Sequence, residues 1–296
     1  MLKINLAKGK YVVAVSGGVD SMVLLDLVRQ SDSELLVAHF VHGIRNEAET
    51  AEDLRVIEEY CNRHDLRLVI GHNEALGTSE AQLREARYLF LDQQKTKNDY
   101  NAVITAHHND DVLETAVINM LRGTNSAGIV SLRSTDAIIR PLLGFDKQEI
   151  VEYANDHELQ WNEDSTNDGD DYLRNYVRHN IVEKLNKAEL RKIIEKQLPL
   201  ETEIEDMVTE FNNAKLLRYG DRIEMMRADF VQLPHDVALR VARSFFDEAD
   251  LGTPPSKQMI EQMVVTIKTG ANASGLDISK SARLEINDTM FVIRNR

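Results

Sequence analysis

Tyr11-Val-Val-Ala-Val-Ser16-Gly17-Gly18-Val19-Asp20-Ser21 is the stretch that decides the fold. Its first half is an unbroken apolar run rich in β-branched residues. A loop of small residues follows, and Met22-Val-Leu-Leu-Asp-Leu-Val28 then has the apolar spacing of a helix. Together they describe a buried strand, a tight glycine turn and a helix start. A turn of this kind presents several backbone N–H groups at the positive end of a helix dipole, which suits an anionic phosphate. Gly17 and Gly18 carry no Cβ, so backbone and ligand can approach closely. Ser16 and Ser21 add hydroxyl groups. The loop lacks the Gly-Lys-Ser/Thr ending of a Walker A loop, which argues against ordinary γ-phosphate transfer.

Outward from this loop, strands and helices alternate. Strands are expected at Tyr11–Ser16, Glu34–Val41, Leu66–Gly71, Asn101–Ala106 and Ile138–Leu142. Helices are expected at Ser21–Gln30, Glu47–His64, Ser79–Thr96 and from about Asp110 to Arg122, with Asp146 and Glu149 as a capping pair opening another. In the third helix Leu83, Ala86, Tyr88, Leu89 and Phe90 form the expected apolar stripe. Regular βα alternation predicts a doubly wound parallel sheet covered by helices on both faces. Ligands of such sheets bind beyond the carboxyl ends of the strands, where Ser16, His39, His107 and Arg140 fall.

The second half changes character. A charged helix is expected at Lys184–Asn212 and a hairpin at Leu216–Arg218 and Arg222–Met226. Helices at Pro234–Ala249 and Ser256–Thr269 flank a Gly252-Thr-Pro-Pro255 turn, and a second hairpin spans Arg283–Ile286 and Met290–Ile293. The expected division is a catalytic domain, residues 1–186, followed by a smaller α+β domain, residues 187–296.

Bulk properties bound the function. The chain has 296 residues, 43% of them hydrophobic and 28% charged, as in an ordinary globular protein with a sizeable core. No apolar run is long enough to span a membrane. The first ten residues are too short and charged a stretch for a signal peptide. The single cysteine, Cys61, excludes an intramolecular disulfide or a cysteine metal cluster, and its helical spacing marks it as a buried thiol. A reducing, cytoplasmic location fits this usage. A net charge of −14 argues against general nucleic-acid binding. A specific RNA partner needs only a local basic face, and Asp171–Lys192 offers six basic residues (Arg174, Arg178, Lys184, Lys187, Arg191, Lys192) against three acidic.

Four further runs carry chemistry. In His107-His108-Asn109-Asp110-Asp111-Val112-Leu113-Glu114-Thr115, Asp111 and Glu114 share one face of a helix, in its first turn. Two carboxylates beside a triphosphate site repel it unless a cation intervenes, either Mg²⁺ or the ammonium of an amine substrate. Leu121-Arg122-Gly123-Thr124 ends that helix, and Arg140-Pro141-Leu142-Leu143 ends a strand. Either arginine can hold a phosphate or an adenylate in a planar, bidentate way. Trp161-Asn-Glu-Asp164-Ser165-Thr166-Asn167 leads into Tyr172-Leu-Arg174-Asn175-Tyr176-Val-Arg178-His179, which puts Arg174 and Arg178 on one side of a helix.

The glycine loop resembles the SGGxDS loop of the PP-loop ATP pyrophosphatases, which cleave ATP between the α- and β-phosphates. With the other four runs, in order between Ser16 and His179, the chain resembles the tRNA(Ile)-lysidine synthetase branch of that family. The resemblance implies an adenine nucleotide alpha hydrolase-like sheet. It also implies ATP-dependent joining of lysine to C2 of the cytidine at the first anticodon position of a minor tRNA(Ile), through an adenylated base. The changed base then reads as isoleucine instead of methionine. The implied partners are ATP with Mg²⁺ carried beside it near Asp20, free L-lysine, and tRNA(Ile) with a CAU anticodon. Residues 187–296 would form the tRNA-recognition domain, and a homodimer is compatible with the sequence.

Position by position, Ser16, Gly17, Gly18, Val19, Asp20, Ser21 and His39 would hold ATP. Asp20, Asp111, Glu114 and Arg178 would carry catalysis, with Asp111, Glu114 and Arg178 recognising lysine. Arg122, Arg140 and Arg174 would contact phosphate, adenylate or tRNA. A sulfur-transferring relative needs paired cysteines or a cysteine-held cluster, which Cys61 alone does not supply.

Overall fold

A computed structural model describes residues 2–43, 47–73, 79–124, 126–162, 173–220, 222–248, 256–279 and 282–295. The chain separates into two compact units, Met1–Leu198 and Pro199–Arg296.

The first unit contains strands β1 (Lys10–Ala14), β2 (Glu34–Val41), β3 (Arg67–His72), β4 (Ala102–Ile104) and β5 (Ile138–Ile139). They pair in parallel in the order β3-β2-β1-β4-β5. Alternate residues of the central strands face opposite sides, as a two-residue period demands. Val13, Val37 and Ile104 pack with α1 (Val19–Arg29), α2 (Glu47–Arg63) and α6 (Lys147–Asp156) through Val23, Leu24, Ile57 and Ile150. Val12, Leu36 and Val103 pack on the other face with Leu91 and Phe90 of α3 (Glu80–Lys97). Burial on both faces explains why these strands read as continuous apolar runs rather than alternating ones. The doubly wound α/β sheet expected from the sequence is therefore observed.

The apolar stripe of α3 differs from expectation. Leu83 and Leu91 are buried, whereas Leu89 is 59% exposed. The row that faces the sheet is 83, 87 and 91, at i, i+4 and i+8. Cys61 is buried, and burial pushes its thiol up to about 11.

A satellite core forms where α4 (Asn109–Leu121) and the short α5 (Ser126–Ile129) meet α7 (Leu173–Asn180), the 3-10 turn Val182–Lys184 and the start of α8 (Lys187–Lys215). Leu113, Ala116, Val117, Val177 and Ile194 fill it. Pro199 lies inside α8, where it removes one helical N–H donor, and the division between the units falls there. The boundary expected near Asn186 and the division at Leu198–Pro199 bracket the first turns of that helix.

The second unit holds β6 (Leu217–Tyr219), β7 (Arg222–Met226), β8 (Gly275–Asp277), β9 (Ala282–Ile286) and β10 (Met290–Asn295). With α9 (Arg227–Val231), α10 (His235–Glu248) and α11 (Lys257–Thr269) it has the expected α+β composition. The two hairpins join into one antiparallel sheet, β6-β7-β10-β9-β8, through pairing of β7 with β10. Phe230, Phe245 and Phe291 cluster with ring centroids 5.5–6.1 Å apart at its centre. The buried Glu201 is paired bidentately with Arg240 on α10, at 2.6 and 3.0 Å. The Gly252–Pro255 turn lies outside the described residues.

Candidate functional site

β1 ends directly in the glycine loop. Gly17 has φ +93°, and a Cβ there would come within 3.3 Å of the Asp53 backbone oxygen. Both the conformation and the space therefore call for glycine. The Asn162 amide donates to the Gly17 carbonyl at 3.0 Å and its side chain donates to Asp53 at 3.0 Å, which braces the loop from two sides. Gly18 is the N-cap of α1 and supplies no side-chain cap, so the first N–H groups of that helix face outward without one. Ser21 Oγ accepts from the Ser16 and Gly17 amides at 3.1 and 3.2 Å and donates to the Gly18 carbonyl at 2.8 Å.

The carboxyl ends of β1, β2 and β4 border a cavity of about 380 Å³. Ser16, Ser21, His39, Arg87, His107 and Asp111 are among its lining residues. His39 is buried, with Nδ1 2.9 Å from the Val15 carbonyl. The apolar part is formed by Ala14, Ala38, Phe40, Val41 and Leu91. These residues suit a planar base, and the loop suits a phosphate.

Beside the cavity, the first two turns of α4 and the basic side of α7 meet; Asp111 lies in the first turn as expected, whereas Glu114 lies in the second. Arg174 bridges both carboxylates, Nε to Glu114 Oε2 at 2.8 Å and Nη2 to Asp111 Oδ1 at 3.0 Å. Arg178, one turn on, donates to the two oxygens of Glu114 at 2.5 and 3.2 Å. Glu114 is fully buried. Burial works against the charged form of Asp111, but His108, Arg174 and His107 outweigh it and hold this carboxyl below its usual range. Arg178 shows the same contest, with burial opposed by Glu114, and its guanidinium is held more firmly protonated.

His108 joins this cluster to the loop. Its Nε2 lies 3.6 Å from Asp111 and 3.8 Å from Asp20. Asp20 also accepts from Lys147, the first residue of α6, at 2.6 Å. Asn109 donates to Asp146 at 2.6 Å, which ties the starts of α4 and α6 together. Lys187 pairs with Asp110 at 3.0 Å. His107 Nδ1 meets the Thr105 hydroxyl at 2.9 Å. Burial, reinforced by Arg140, Arg87 and Arg84 and opposed by Asp111, pushes the His107 imidazole down to about 3. It is neutral at physiological pH.

Of the residues singled out in the sequence, Ser16–Ser21, His39, Asp111, Glu114, Arg174 and Arg178 come together at this end of the sheet. Arg140 is buried nearby at the end of β5, where its guanidinium donates to the Arg133 carbonyl. Arg122 stands elsewhere: it is exposed at the far end of α4, about 16 Å along the helix from Asp111. Asp164–Asn167 and Tyr172 lie outside the described residues. Lys147, Arg87, Asp53 and Asn162 had no place in the sequence reading. Only Arg87 left a signal, since it stands four residues from both Leu83 and Leu91, the row that faces the sheet.

Asp20 supplies one carboxylate near the loop, and oxygen ligands suit Mg²⁺, which usually takes one or two carboxylates alongside phosphate oxygens. Among the described residues no group of three or more His, Cys, Asp or Glu could hold a metal alone. An ion arriving with a triphosphate fits this donor set; a metal cage made of protein ligands does not.

Comparison with known proteins matches residues 2–185 to the PP-loop domain family. A tRNA(Ile)-lysidine synthase from Exiguobacterium sibiricum is 40% identical over 193 residues, 64% of this chain and 46% of that protein. One from Bdellovibrio bacteriovorus is 35% identical over 62% of this chain and 59% of that protein. One from Bacillus subtilis is 26% identical over 95% of this chain and 64% of that protein. The chain thus spans less than two thirds of these relatives. Among solved structures, a U34-tRNA thiolase from Methanococcus maripaludis shares the fold, with TM-score 0.53 and 16% identity over 66% of this chain and 73% of that one.

Proposed function

This chain belongs to the PP-loop family, and on that premise we propose that it joins free lysine to C2 of the cytidine at the first anticodon position of a minor tRNA(Ile), using ATP. One observation carries the proposal: paired carboxylates and paired arginines, Asp111, Glu114, Arg174 and Arg178, stand beside a glycine loop of phosphate-binding type. The naming of relatives as lysidine synthases supports it.

The chemistry has two steps. The C2 oxygen of cytidine attacks the α-phosphate of ATP. The bond to the β-phosphate breaks and pyrophosphate leaves, with the loop N–H groups stabilising the developing charge. Mg²⁺ bound with the ATP would neutralise phosphate charge near Asp20. The amine of lysine then attacks C2, the C2–O bond breaks, and AMP leaves with the oxygen.

Lysine arrives as an ammonium and must lose a proton before it attacks. Asp111 is the acceptor in this proposal, though Arg174 holds its proton affinity low at rest. Arg178, anchored on Glu114, is placed to receive the lysine carboxylate. Among the described residues no helix is long and apolar enough to cross a membrane. We place the reaction in the cytoplasm.

The test is incorporation of radiolabelled lysine into bacterial tRNA with and without ATP. ATP-dependent label in a minor tRNA(Ile) is expected. ATP turnover to AMP without label would retain adenylation and overturn lysine as the nucleophile.

A further inference from the structure

A second cavity, of about 340 Å³, lies at the other end of the first unit's sheet, where α1, α2 and α6 end. About 12 Å of helix separates its Arg29 from Ser21 of the glycine loop. Met22, Val56 and Leu159 supply apolar lining, and Arg29, Arg63, His64 and Glu158 supply charge. Asp26 also borders the cavity, but Tyr60, Tyr153, Arg29 and Gln30 already satisfy its carboxylate.

Two of these charges are left over. Among the described residues, the side chains of Arg63 and Glu158 make no hydrogen bond or ion pair. Glu59, the remaining acidic lining residue, is tied to Arg55 at 2.6 Å. Arg63 has a local reason to be where it is, since a cation in the last turn of α2 offsets the helix dipole.

Glu158 has no such reason. A carboxylate just beyond the C-terminus of α6 meets the negative end of that dipole. Its backbone is also left-handed, with φ +50°. Asp65 and Asp99 share this conformation, but aspartate is enriched there and glutamate is not. Glycine would take the turn without the cost. A glutamate kept in a doubly unfavourable place points to a task for its charge.

Beside α2 the local field is positive. Burial lowers the His64 pKa, and Arg29 and Arg63 add to the fall against the pull of Asp26. A plain anion would be attracted there and repelled by Glu158; a plain cation would meet the reverse. A molecule that carries both charges satisfies both side chains.

We propose that this cavity binds a small zwitterion, an aliphatic α-amino acid, with its carboxylate on Arg63 and its ammonium on Glu158. Met22, Val56 and Leu159 receive the aliphatic side chain. The site is separate from the lysine site at Asp111 and does not depend on the adenylation described above.

The experiment is calorimetric titration of the full chain with L-leucine, N-acetyl-L-leucine and L-leucinamide. The second ligand lacks the ammonium and the third lacks the carboxylate. L-leucine should bind at least about tenfold more tightly than either derivative. Arg63→Gln and Glu158→Gln should each abolish that preference. Glu158→Gly should also lose leucine, yet unfold at the same or a higher temperature, because glycine relieves the left-handed backbone. Asp111→Asn should bind leucine as the unaltered chain does.

No leucine binding by the unaltered protein overturns the proposal. Binding that survives both Arg63→Gln and Glu158→Gln also overturns it; if Asp111→Asn then abolishes that binding, the amino acid occupies the lysine site instead. Equal affinity for leucine and N-acetyl-leucine would make this a plain anion site and overturn the zwitterion. A lower unfolding temperature for Glu158→Gly with leucine binding retained would overturn it in favour of a structural role.

Discussion

Two buried carboxylate clusters sit at opposite ends of one sheet, and they are built to different standards. At the amino ends of the strands, Asp26 of α1 accepts from Tyr60 at 2.5 Å, Tyr153 at 2.7 Å, Arg29 at 2.8 Å and Gln30 at 3.1 Å. Burial opposes its charge, but these hydrogen bonds outweigh burial and keep the carboxyl below its usual range. The cluster ties α1, α2 and α6 together and leaves neither oxygen of Asp26 unpaired. At the carboxyl ends, Glu114 is equally well held, yet around it His108 Nδ1, Asp110 Oδ1, Arg87 Nε and Arg140 Nε are buried without hydrogen-bond partners. A closed cluster serves the fold alone. An open one bears a cost that only a ligand relieves, and such unpaired buried groups are where function is expected.

The sharpest way to break this contrast is Asp111→Asn. It removes charge and keeps shape, and lysine incorporation should fall by roughly a thousandfold or more while tRNA affinity holds. Normal incorporation in that variant would sink the lysine-site assignment. The counterpart at the closed end is Asp26→Ala, which removes the shared acceptor of two tyrosine hydroxyls, Arg29 and Gln30 and leaves only the Arg29–Tyr60 and Gln30–Tyr153 bonds among them. It should cost about 2–4 kcal/mol in urea unfolding, discounted because Arg29 is partly exposed, with AMP affinity unaltered in the folded fraction. A loss of AMP affinity without a loss of stability would reverse the roles of the two clusters.

Arg178→Ala should raise the lysine KM by about tenfold with the ATP KM nearly constant. Equal effects on both would assign this guanidinium to phosphate. Acid offers a gentler probe. The folded-state pKa of His107, about 3, is depressed from 6.5, so the unfolded chain binds more protons between these values. That contribution to stability is whole above pH 6.5 and is lost as pH falls toward 3, by at most about 1.4 kcal/mol per pH unit. Between pH 6.5 and 4.5, His107→Gln should lose stability less steeply than the unaltered chain; identical slopes would mean that His107 already carries a proton when folded. The smallest effect is expected at Arg122, exposed and remote from Asp111. Arg122→Ala should flatten the salt dependence of tRNA binding by about one unit of log–log slope and leave ATP and lysine KM untouched.

Much of this was legible in the residues. The strand–loop–helix at Tyr11–Val28 needs only local signals, and the two-faced burial of a parallel sheet makes its strands continuous apolar runs. Asp111 with Glu114, and Arg174 with Arg178, announce a shared helix face by spacing alone. Other features depend on distance in sequence. Both C-terminal hairpins carry their own turns, but the pairing of β7 with β10 and the short β8 have no local marker. Lys147 reads as an ordinary first-turn residue until α6 is placed against Asp20. Arg87 was hidden because a single arginine among apolar neighbours reads as the edge of a stripe, and only the packing of Leu83 and Leu91 shows that it points inward.

The hydroxyl of Ser21 has a consequence for kinetics. It already engages the Ser16 and Gly17 amides, so the glycine loop is held in a binding geometry before any nucleotide arrives. Association then exchanges partners and needs no folding of the loop. Those two amides should resist deuterium in the free protein nearly as well as the neighbouring strand, and encounter with nucleotide should be governed by diffusion and charge instead of by a slow ordering step.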